Sequence, residues 1–185
     1  GWNTKFFDLP YLCNRIKLLT DEKIVRKLSP WNLVSTEEVV VRGRSNLYYD
    51  LVGITMLDYL DLYKKFIPVR QESYKLDYIG KVEVGIQKDD NPFDTFREWY
   101  SKDFQSFVDY NIKDVEIVDQ LEDKLKLIEL ILTMAYEAKI NYQDVFSQVR
   151  FWDTLIYNFL RKDNIVIPPK EDNIKDEKYP GAYVK

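Results

Sequence analysis

The chain has 185 residues, of which 45% are hydrophobic, and its 4 Trp, 14 Tyr and 10 Phe exclude a disordered or fibrous protein. It contains no histidine, which excludes Ser-His-Asp and Cys-His catalysis, histidine general bases and zinc sites with an imidazole ligand. A net charge of -4 gives it no overall positive field with which to attract nucleic acid. Any catalytic chemistry must therefore come from carboxylates, Tyr or Lys.

The single cysteine, Cys13, cannot form an internal disulfide or a multi-cysteine metal site. No apolar run approaches the ~20 residues that a membrane helix requires, and the N-terminus does not resemble a signal peptide. We therefore expect a cytoplasmic protein with no membrane partner.

The first half of the chain predicts three helices and a hairpin. A helix is expected over residues 7–19, with Asp8 as its N-cap. Its expected buried face comprises Leu12, Ile16 and Leu19. Residues 38–57 have a β-rich composition with a basic turn and predict a β-hairpin. Short helices are predicted over residues 60–66 and 74–84.

The second half predicts further helices. One is expected after the loop at residues 89–92. The longest periodic pattern runs over residues 103–138 and predicts one long amphipathic helix, and another helix is predicted over residues 145–160. Residues 165–178 are typical of an exposed linker.

Asp114 is anomalous within the long helix, because it lies on a line of otherwise apolar side chains. The other members of that line are Phe107, Leu121 and Ile128, and the opposite, polar face carries Asp109, Lys113, Glu116 and Asp123. Tyr110 lies one turn before Asp114, so its hydroxyl and the carboxylate point toward one place. From periodicity alone, Asp114 is either a hydrogen-bonded structural acid or a functional one, and Asp8 alone is a helix cap.

Two segments resemble motifs of a known family. They are GWNTKFFDLPY, with Asn3, Phe7, Asp8, Pro10 and Tyr11, and YNIKDVE, with Tyr110, Asn111 and Asp114. These segments resemble the second and third exonuclease motifs of the family B DNA polymerases, particularly those of T-even-like phages. The resemblance continues in the same order through residues 57–66, 151–158 and 179–182, and it covers essentially the whole chain.

The resemblance implies an α/β, ribonuclease-H-like exonuclease domain that is helix-rich in this segment and truncated at its N-terminal sheet strands. It implies 3′–5′ proofreading hydrolysis of DNA with two divalent cations, Mg²⁺ or Mn²⁺, held by four carboxylates. Asp8 and Asp114 correspond to two acids that are both metal-binding and catalytic, and Tyr110 to the catalytic tyrosine that positions the attacking water. The parent protein is then a DNA-directed DNA polymerase.

The first motif of that family, an Asp-x-Glu pair, precedes the segment that corresponds to Gly1. We therefore expect the isolated chain to be inactive, unless a nearby acid such as Asp58 or Asp61 replaces the pair. On this interpretation, residues 1–138 form a partial exonuclease domain, and residues 139–185 form a helix and a linker toward the polymerase palm.

The resemblance also implies DNA contacts. Arg42 and Arg44 lie at the tip of the hairpin, which in the family helps to separate template from primer, and they suit phosphate contact. Tyr179, Gly181 and Ala182 match a segment that contacts the template single strand. The implied partners are primer-template DNA, single-stranded DNA, the remainder of the polymerase chain and a sliding clamp.

Two alternatives remain open from the sequence. The chain could be a non-catalytic helical interaction module, or one subunit of a split polymerase whose site is completed by a partner chain. A standalone exonuclease of the same fold is disfavoured, because the match at residues 179–182 belongs between the exonuclease and polymerase modules.

Overall fold

The computed structural model describes residues 1–41, 43–86 and 91–168, with the backbone alone described at Val41 and Arg44. Within these ranges the chain forms eight α-helices, one 3-10 helix and one two-stranded antiparallel sheet. The expected helix-rich α/β class is therefore confirmed. Arg42 and the linker from residue 169 onward lie outside the described residues. The same holds for Tyr179, Gly181 and Ala182.

Short connections join most of the elements. The helices are α1 (Asp8–Leu19), α2 (Glu22–Arg26), α3 (Tyr59–Phe66), α4 (Leu76–Val84), α5 (Phe96–Lys102), α6 (Phe104–Leu125), α7 (Leu127–Ala138), the 3-10 helix (Tyr142–Phe146) and α8 (Gln148–Arg161). The strands β1 (Val34–Val41) and β2 (Arg44–Leu51) lie between α2 and α3. None of the described helices combines the length and the apolar character that crossing a membrane requires.

The start of α1 differs from the prediction. Asp8 is the first helical residue rather than the N-cap, and no side chain caps this helix. A side-chain cap is unnecessary because the preceding loop satisfies part of the first turn. The Leu9 N–H donates to the Thr4 carbonyl oxygen at 3.0 Å. The predicted end of the helix, at Leu19, is confirmed.

The buried face of α1 also differs from the prediction. Leu9 and Cys13 are buried with Ile16 packed beside them, whereas Leu12 is 47% exposed and Leu19 65%. A face that begins at Leu9 and a face that begins at Leu12 both fit the helical period. Packing against β2 selects the first of them, and the sequence pattern of α1 alone does not contain that information.

The hairpin is shifted toward the N-terminus. β1 and β2 pair from Val34 opposite Leu51 to Val41 opposite Arg44. The predicted boundaries at residues 38 and 57 are therefore wrong at both ends.

The hairpin ends at β2 because the chain turns immediately after it. Buried Ser29 donates its hydroxyl to the Val52 carbonyl oxygen at 2.7 Å and accepts the Leu33 N–H at 3.2 Å. Gly53 follows with φ 92°, a left-handed conformation that favours glycine. A Cβ there would also lie 2.8 Å from side-chain atoms of Pro30 and Trp31.

Several predicted helices are confirmed with small changes at their ends. The helices predicted over residues 60–66 and 74–84 are α3 and α4, and the helix expected after the loop is α5. The helix predicted over residues 145–160 is α8. It begins later because residues 142–146 form the 3-10 helix, and the Ser147 hydroxyl caps α8 by accepting the Arg150 N–H at 3.4 Å.

The predicted long helix is broken into α6 and α7 at Lys126, which has the left-handed values φ 52° and ψ 38°. The carboxylate of Glu122 accepts the backbone N–H of Ile128 at 3.1 Å and of Glu129 at 3.4 Å, so it caps the start of α7. The same carboxylate accepts the hydroxyl of buried Tyr59 at 3.0 Å. Glu122 therefore joins α3, α6 and α7 at the bend.

Buried side chains form two clusters. The helical core lies among α3, α4, α6, α7 and the 3-10 helix, and comprises Tyr59, Leu62, Tyr63, Ile79, Ile117, Leu121, Leu127, Ile131, Ala135 and Val145. The hairpin core joins α1, α2 and β2, and comprises Leu9, Cys13, Val25, Tyr49 and Leu51. Asp8 therefore lies on a helix of the hairpin core, whereas Tyr110 and Asp114 lie on a helix of the helical core.

The last helix, α8, is amphipathic, and none of its residues is buried within the described part of the chain. Its exposed apolar side chains include Val149, Trp152, Ile156 and Phe159, which recur at helical spacing. One polar contact anchors the helix to α7, since the Asn158 side-chain amide donates to the Ala138 carbonyl oxygen at 2.9 Å.

The bend predicts a specific loss of stability. Glu122→Ala leaves the buried Tyr59 hydroxyl and the Ile128 N–H without their acceptor, and we expect the free energy of unfolding to fall by about 2 kcal/mol. Asp123→Ala is the matched control, because that side chain is 74% exposed and forms a surface ion pair with Lys126. It should change stability by less than about 0.5 kcal/mol. Urea unfolding of both variants measures the difference, and equal effects would contradict the role of Glu122.

Candidate functional site

Tyr110 and Asp114 lie one turn apart on α6, so their side chains are neighbours on the helix surface. Both residues are half-buried, and Oδ1 of Asp114 is fully enclosed by protein atoms. Leu121 is buried as the line of apolar residues predicts. Ile128 is not on that line, because it follows the break at Lys126, and it is 36% exposed.

An aromatic cluster on α5 holds the Tyr110 ring. Its centroid lies 5.0 Å from that of Trp99 and 6.0 Å from that of Phe96. Trp99 is buried, and its indole N–H donates to the Ser106 hydroxyl at 3.1 Å, which fixes the indole between α5 and α6. The helical periodicity of α6 does not predict this support. The sequence signal for an aromatic cluster around Tyr110 was the high density of aromatic residues between Phe93 and Phe107.

Asp8 is exposed in the first turn of α1, where the positive end of the helix dipole favours a carboxylate. It belongs to a helix of the hairpin core, whereas the helix of Asp114 contributes to the helical core. Across the described ranges, no group of three or more acidic or cysteine side chains is arranged to hold a metal ion. Within those ranges, Asp8 and Asp114 are therefore not members of such a group.

Comparison with known proteins shows what the chain is similar to. Residues 1–79 match the model of the DNA polymerase family B exonuclease domain. The whole chain aligns with the DNA-directed DNA polymerases of Escherichia phage RB69, at 42% identity, and Enterobacteria phage T4, at 35%. Residues 1–79 are therefore similar to the family B exonuclease domain, and the whole chain is similar to part of these two phage polymerases. The resemblance inferred from the two motifs is confirmed.

The similarity extends beyond phage proteins but covers only part of each relative. A DNA polymerase of Paramecium bursaria Chlorella virus NY2A aligns with the whole chain at 30% identity, over 22% of its own length. The chain covers 20% of the RB69 and T4 proteins, so it spans about a fifth of the length of these relatives. The family model covers Asp8 and the hairpin, whereas Tyr110 and Asp114 are covered by the whole-chain alignments.

Asp58, one of the two acids considered as a replacement for the Asp-x-Glu pair, is a structural residue in this chain. It is only 4% exposed. Its Oδ1 accepts the N–H of Asn3 at 2.9 Å and of Leu60 at 3.0 Å, and its Oδ2 accepts the N–H of Lys5 at 2.9 Å. The carboxylate thus caps α3 and anchors the start of the chain. Its position directly before a predicted helix was the sequence signal for a cap.

Asp61, the second such acid, lies one turn further along α3 and is partly exposed. Burial, and then the neighbouring Asp58 carboxylate, raise its pKa above the ordinary value of 3.8. Lys5 and Lys64 oppose that shift. The positive charges of Lys5 and Lys64 therefore act on the Asp61 carboxylate.

The predicted DNA-binding residues lie largely outside the described part of the chain. Arg44 is described only by its backbone, as the first residue of β2, and Gly43 before it has φ 76° in the turn. Arg42 and the segment with Tyr179, Gly181 and Ala182 lie beyond the described ranges. Their DNA contacts stay predictions.

The Asp58 anchor has a measurable consequence. Asp58→Ala removes the acceptor of three backbone N–H groups, and we expect the free energy of unfolding to fall by about 3 kcal/mol. Asp94→Ala is the control, because Asp94 is exposed in the loop before α5. It should change stability by less than about 0.5 kcal/mol. An Asp58→Ala variant as stable as the control in thermal unfolding would contradict the structural role.

Removing the charge of Asp61 should raise stability at neutral pH, which is opposite in sign to the loss expected for Asp58→Ala. Because its folded-state pKa is raised, the folded protein binds the proton more tightly than the unfolded chain, and stability falls as pH rises from about 3.8 through the raised value. Asp61→Asn should therefore be more stable than the parent at neutral pH, and the advantage should disappear on acidification through that window. Urea unfolding at several pH values measures this. A variant less stable than the parent at neutral pH would contradict the prediction.

Proposed function

We propose that this chain is part of a DNA-directed DNA polymerase and contributes to 3′–5′ proofreading hydrolysis of DNA phosphodiesters. The observation that carries the proposal is the alignment of the entire chain with two phage DNA-directed DNA polymerases, together with the exonuclease-domain match at residues 1–79. The family match also supports a ribonuclease-H-like fold for the exonuclease domain. Residues 1–138 are proposed as its partial domain, and residues 139–185 as the connection toward the palm.

Asp8 and Asp114 are the proposed metal-binding and catalytic acids. Their carboxylate oxygens are hard donors of the kind that Mg²⁺ and Mn²⁺ prefer, so the donor set fits these cations. When bound, two such cations would supply the charge that activates water and stabilises the leaving oxygen of a phosphodiester. Two carboxylates are too few for such a pair of cations. We therefore propose that further acids complete the site and that the isolated chain is inactive.

Tyr110 is the proposed positioning group for the attacking water. Its hydroxyl can accept a hydrogen bond from water and donate one, and the packing of its ring against Trp99 and Phe96 restricts where that hydroxyl lies. Asp114 lies one turn away on the same rigid helix. The separation of these two groups is thereby fixed by α6 rather than by a loop.

DNA is the proposed substrate and partner, as primer-template and as single strand. Arg42 and Arg44 are proposed to contact phosphates at the hairpin tip, and Tyr179, Gly181 and Ala182 the template strand. The remainder of the polymerase chain is the proposed partner for α8, whose exposed apolar face is typical of a helix that packs against another surface. A sliding clamp stays a prediction.

The test uses a polymerase in which these 185 residues replace the aligned segment of the RB69 protein. Asp114→Asn should reduce 3′–5′ degradation of a labelled single strand by several orders of magnitude, because a metal-binding charge is lost. Nucleotide incorporation should be nearly unchanged, since it takes place at a separate site.

Asp109→Asn is the matched control, an exposed acid of the same helix that accepts a hydrogen bond from the Gln105 amide at 2.9 Å. It should leave both activities unchanged. Degradation that survives Asp114→Asn would contradict the assignment of Asp114. In the same assay with Mg²⁺ or Mn²⁺, the 185-residue chain alone is expected to leave the strand intact.

A further inference from the structure

Four segments of the chain meet around a cleft of about 560 Å³ near the start of α1. They are the loop before α1, strand β2, helix α3 and the 3-10 helix. The residues that matter for its chemistry are Lys5, Tyr48, Lys64, Lys65, Gln143 and Phe146. A cleft of this size lies in the range of about 300–1,000 Å³ that small-molecule sites occupy. No residue of this set was among the candidate site residues.

The cleft is basic although the chain carries a net charge of -4. Lys5, Lys64 and Lys65 line it together with two acids, Asp58 and Asp61. Asp58 is buried and its oxygens accept three backbone N–H groups, which leaves Asp61 as the acid that faces the cleft. Three lysines therefore face one accessible carboxylate.

Two of the three lysines, Lys5 and Lys64, lie over aromatic rings rather than in ion pairs. The ammonium group of Lys5 lies 4.8 Å from the ring centroid of Tyr48, and that of Lys64 lies 5.3 Å from the centroid of Tyr74. Among the described residues, neither of these ammonium groups nor that of Lys65 forms an ion pair with a carboxylate. Their positive charges are thus available to an anion.

The cleft adjoins the proposed exonuclease acid of α1. Lys5 precedes Asp8 by three residues, so their Cα atoms are at most about 11 Å apart. The backbone of Lys5 is fixed by its N–H bond to Asp58 at 2.9 Å, and α3 carries Lys64 and Lys65 in its last turn. Tyr48 and Phe146 add half-buried aromatic surface beside the lysines.

We propose that this cleft binds an internal phosphate of a single DNA strand, with Lys5, Lys64 and Lys65 around the phosphate and Tyr48 beside a neighbouring base. Positive groups that track the backbone next to an aromatic ring are the usual chemistry of single-strand binding. The proposal rests on the proposed function, which makes DNA the substrate. On this proposal, the single strand binds at a cleft that is separate from the tip of the hairpin.

The experiment measures binding of a fluorescein-labelled 12-nucleotide oligothymidylate to the full 185-residue chain by fluorescence anisotropy over a range of salt concentrations. The test variant is Lys64→Gln with Lys65→Gln. The control is Lys23→Gln with Lys27→Gln, which removes the same charge from exposed residues at α2 that do not line the cleft. Circular dichroism verifies that both variants are folded.

We expect the test variant to bind at least about fivefold more weakly at low salt. The slope of log affinity against log salt should fall by up to about 0.7, because that is what the loss of one phosphate contact on a single strand removes. The control should change affinity by less than about twofold. Equal losses in the two variants, no loss in the test variant, or no binding by the parent chain would each overturn the proposal that the cleft binds the strand.

A competition arm separates a strand from a free nucleotide, since both carry phosphate. Unlabelled oligothymidylate should displace the probe at far lower phosphate concentration than dTMP. Equal displacement by dTMP would overturn the assignment to an internal phosphate. The two proposals fail separately, because the exonuclease assay with Asp114→Asn tests the acids and the anisotropy assay tests only the cleft.

Discussion

One buried carboxylate joins the two halves of this fold. Asp58 accepts backbone N–H groups from Asn3, Lys5 and Leu60, so it holds the start of the chain against the start of α3. Because α3 belongs to the helical core and α1 follows the anchored segment directly, this contact determines where α1 and Asp8 lie. The same anchor places Lys5 at the basic cleft. The position of the N-terminal candidate acid thus depends on a residue about fifty positions later in the chain.

Hydrogen-bond partners separate the structural acids from the candidate catalytic one near the N-terminus. Asp58 and Glu122 each accept several donors and connect elements: Asp58 anchors the N-terminal segment, and Glu122 stabilises the bend between α6 and α7. Asp8 is exposed and caps no helix, so the favourable helix dipole at the first turn of α1 is the structural role that its position retains. On α6, packing against Trp99 gives Tyr110 a fixed ring position beside Asp114. The rigid helix, rather than a loop, sets the geometry of that pair.

Local charge and overall charge differ in this chain. At long range, where the field of the whole molecule acts, a net charge of -4 does not attract nucleic acid. At short range, the cleft presents Lys5, Lys64 and Lys65 against one accessible acid, Asp61. Screening limits interactions between exposed charges to about 8–10 Å in physiological salt, so a local cluster can bind phosphate in spite of the overall charge. Composition alone therefore underestimates such a site.

The sequence by itself determined the helix-rich class, most of the helices and the family resemblance, because helical periodicity and motif spacing are properties of neighbouring residues. It contained no such signal for the bend, since Leu121, Leu125 and Ile128 keep helical spacing across it. Only the tertiary structure decided which face of α1 is buried, that Asp58 is an anchor, and that Lys5 meets Lys64. These features join residues up to fifty or sixty positions apart, and no local pattern specifies which distant segments pack together.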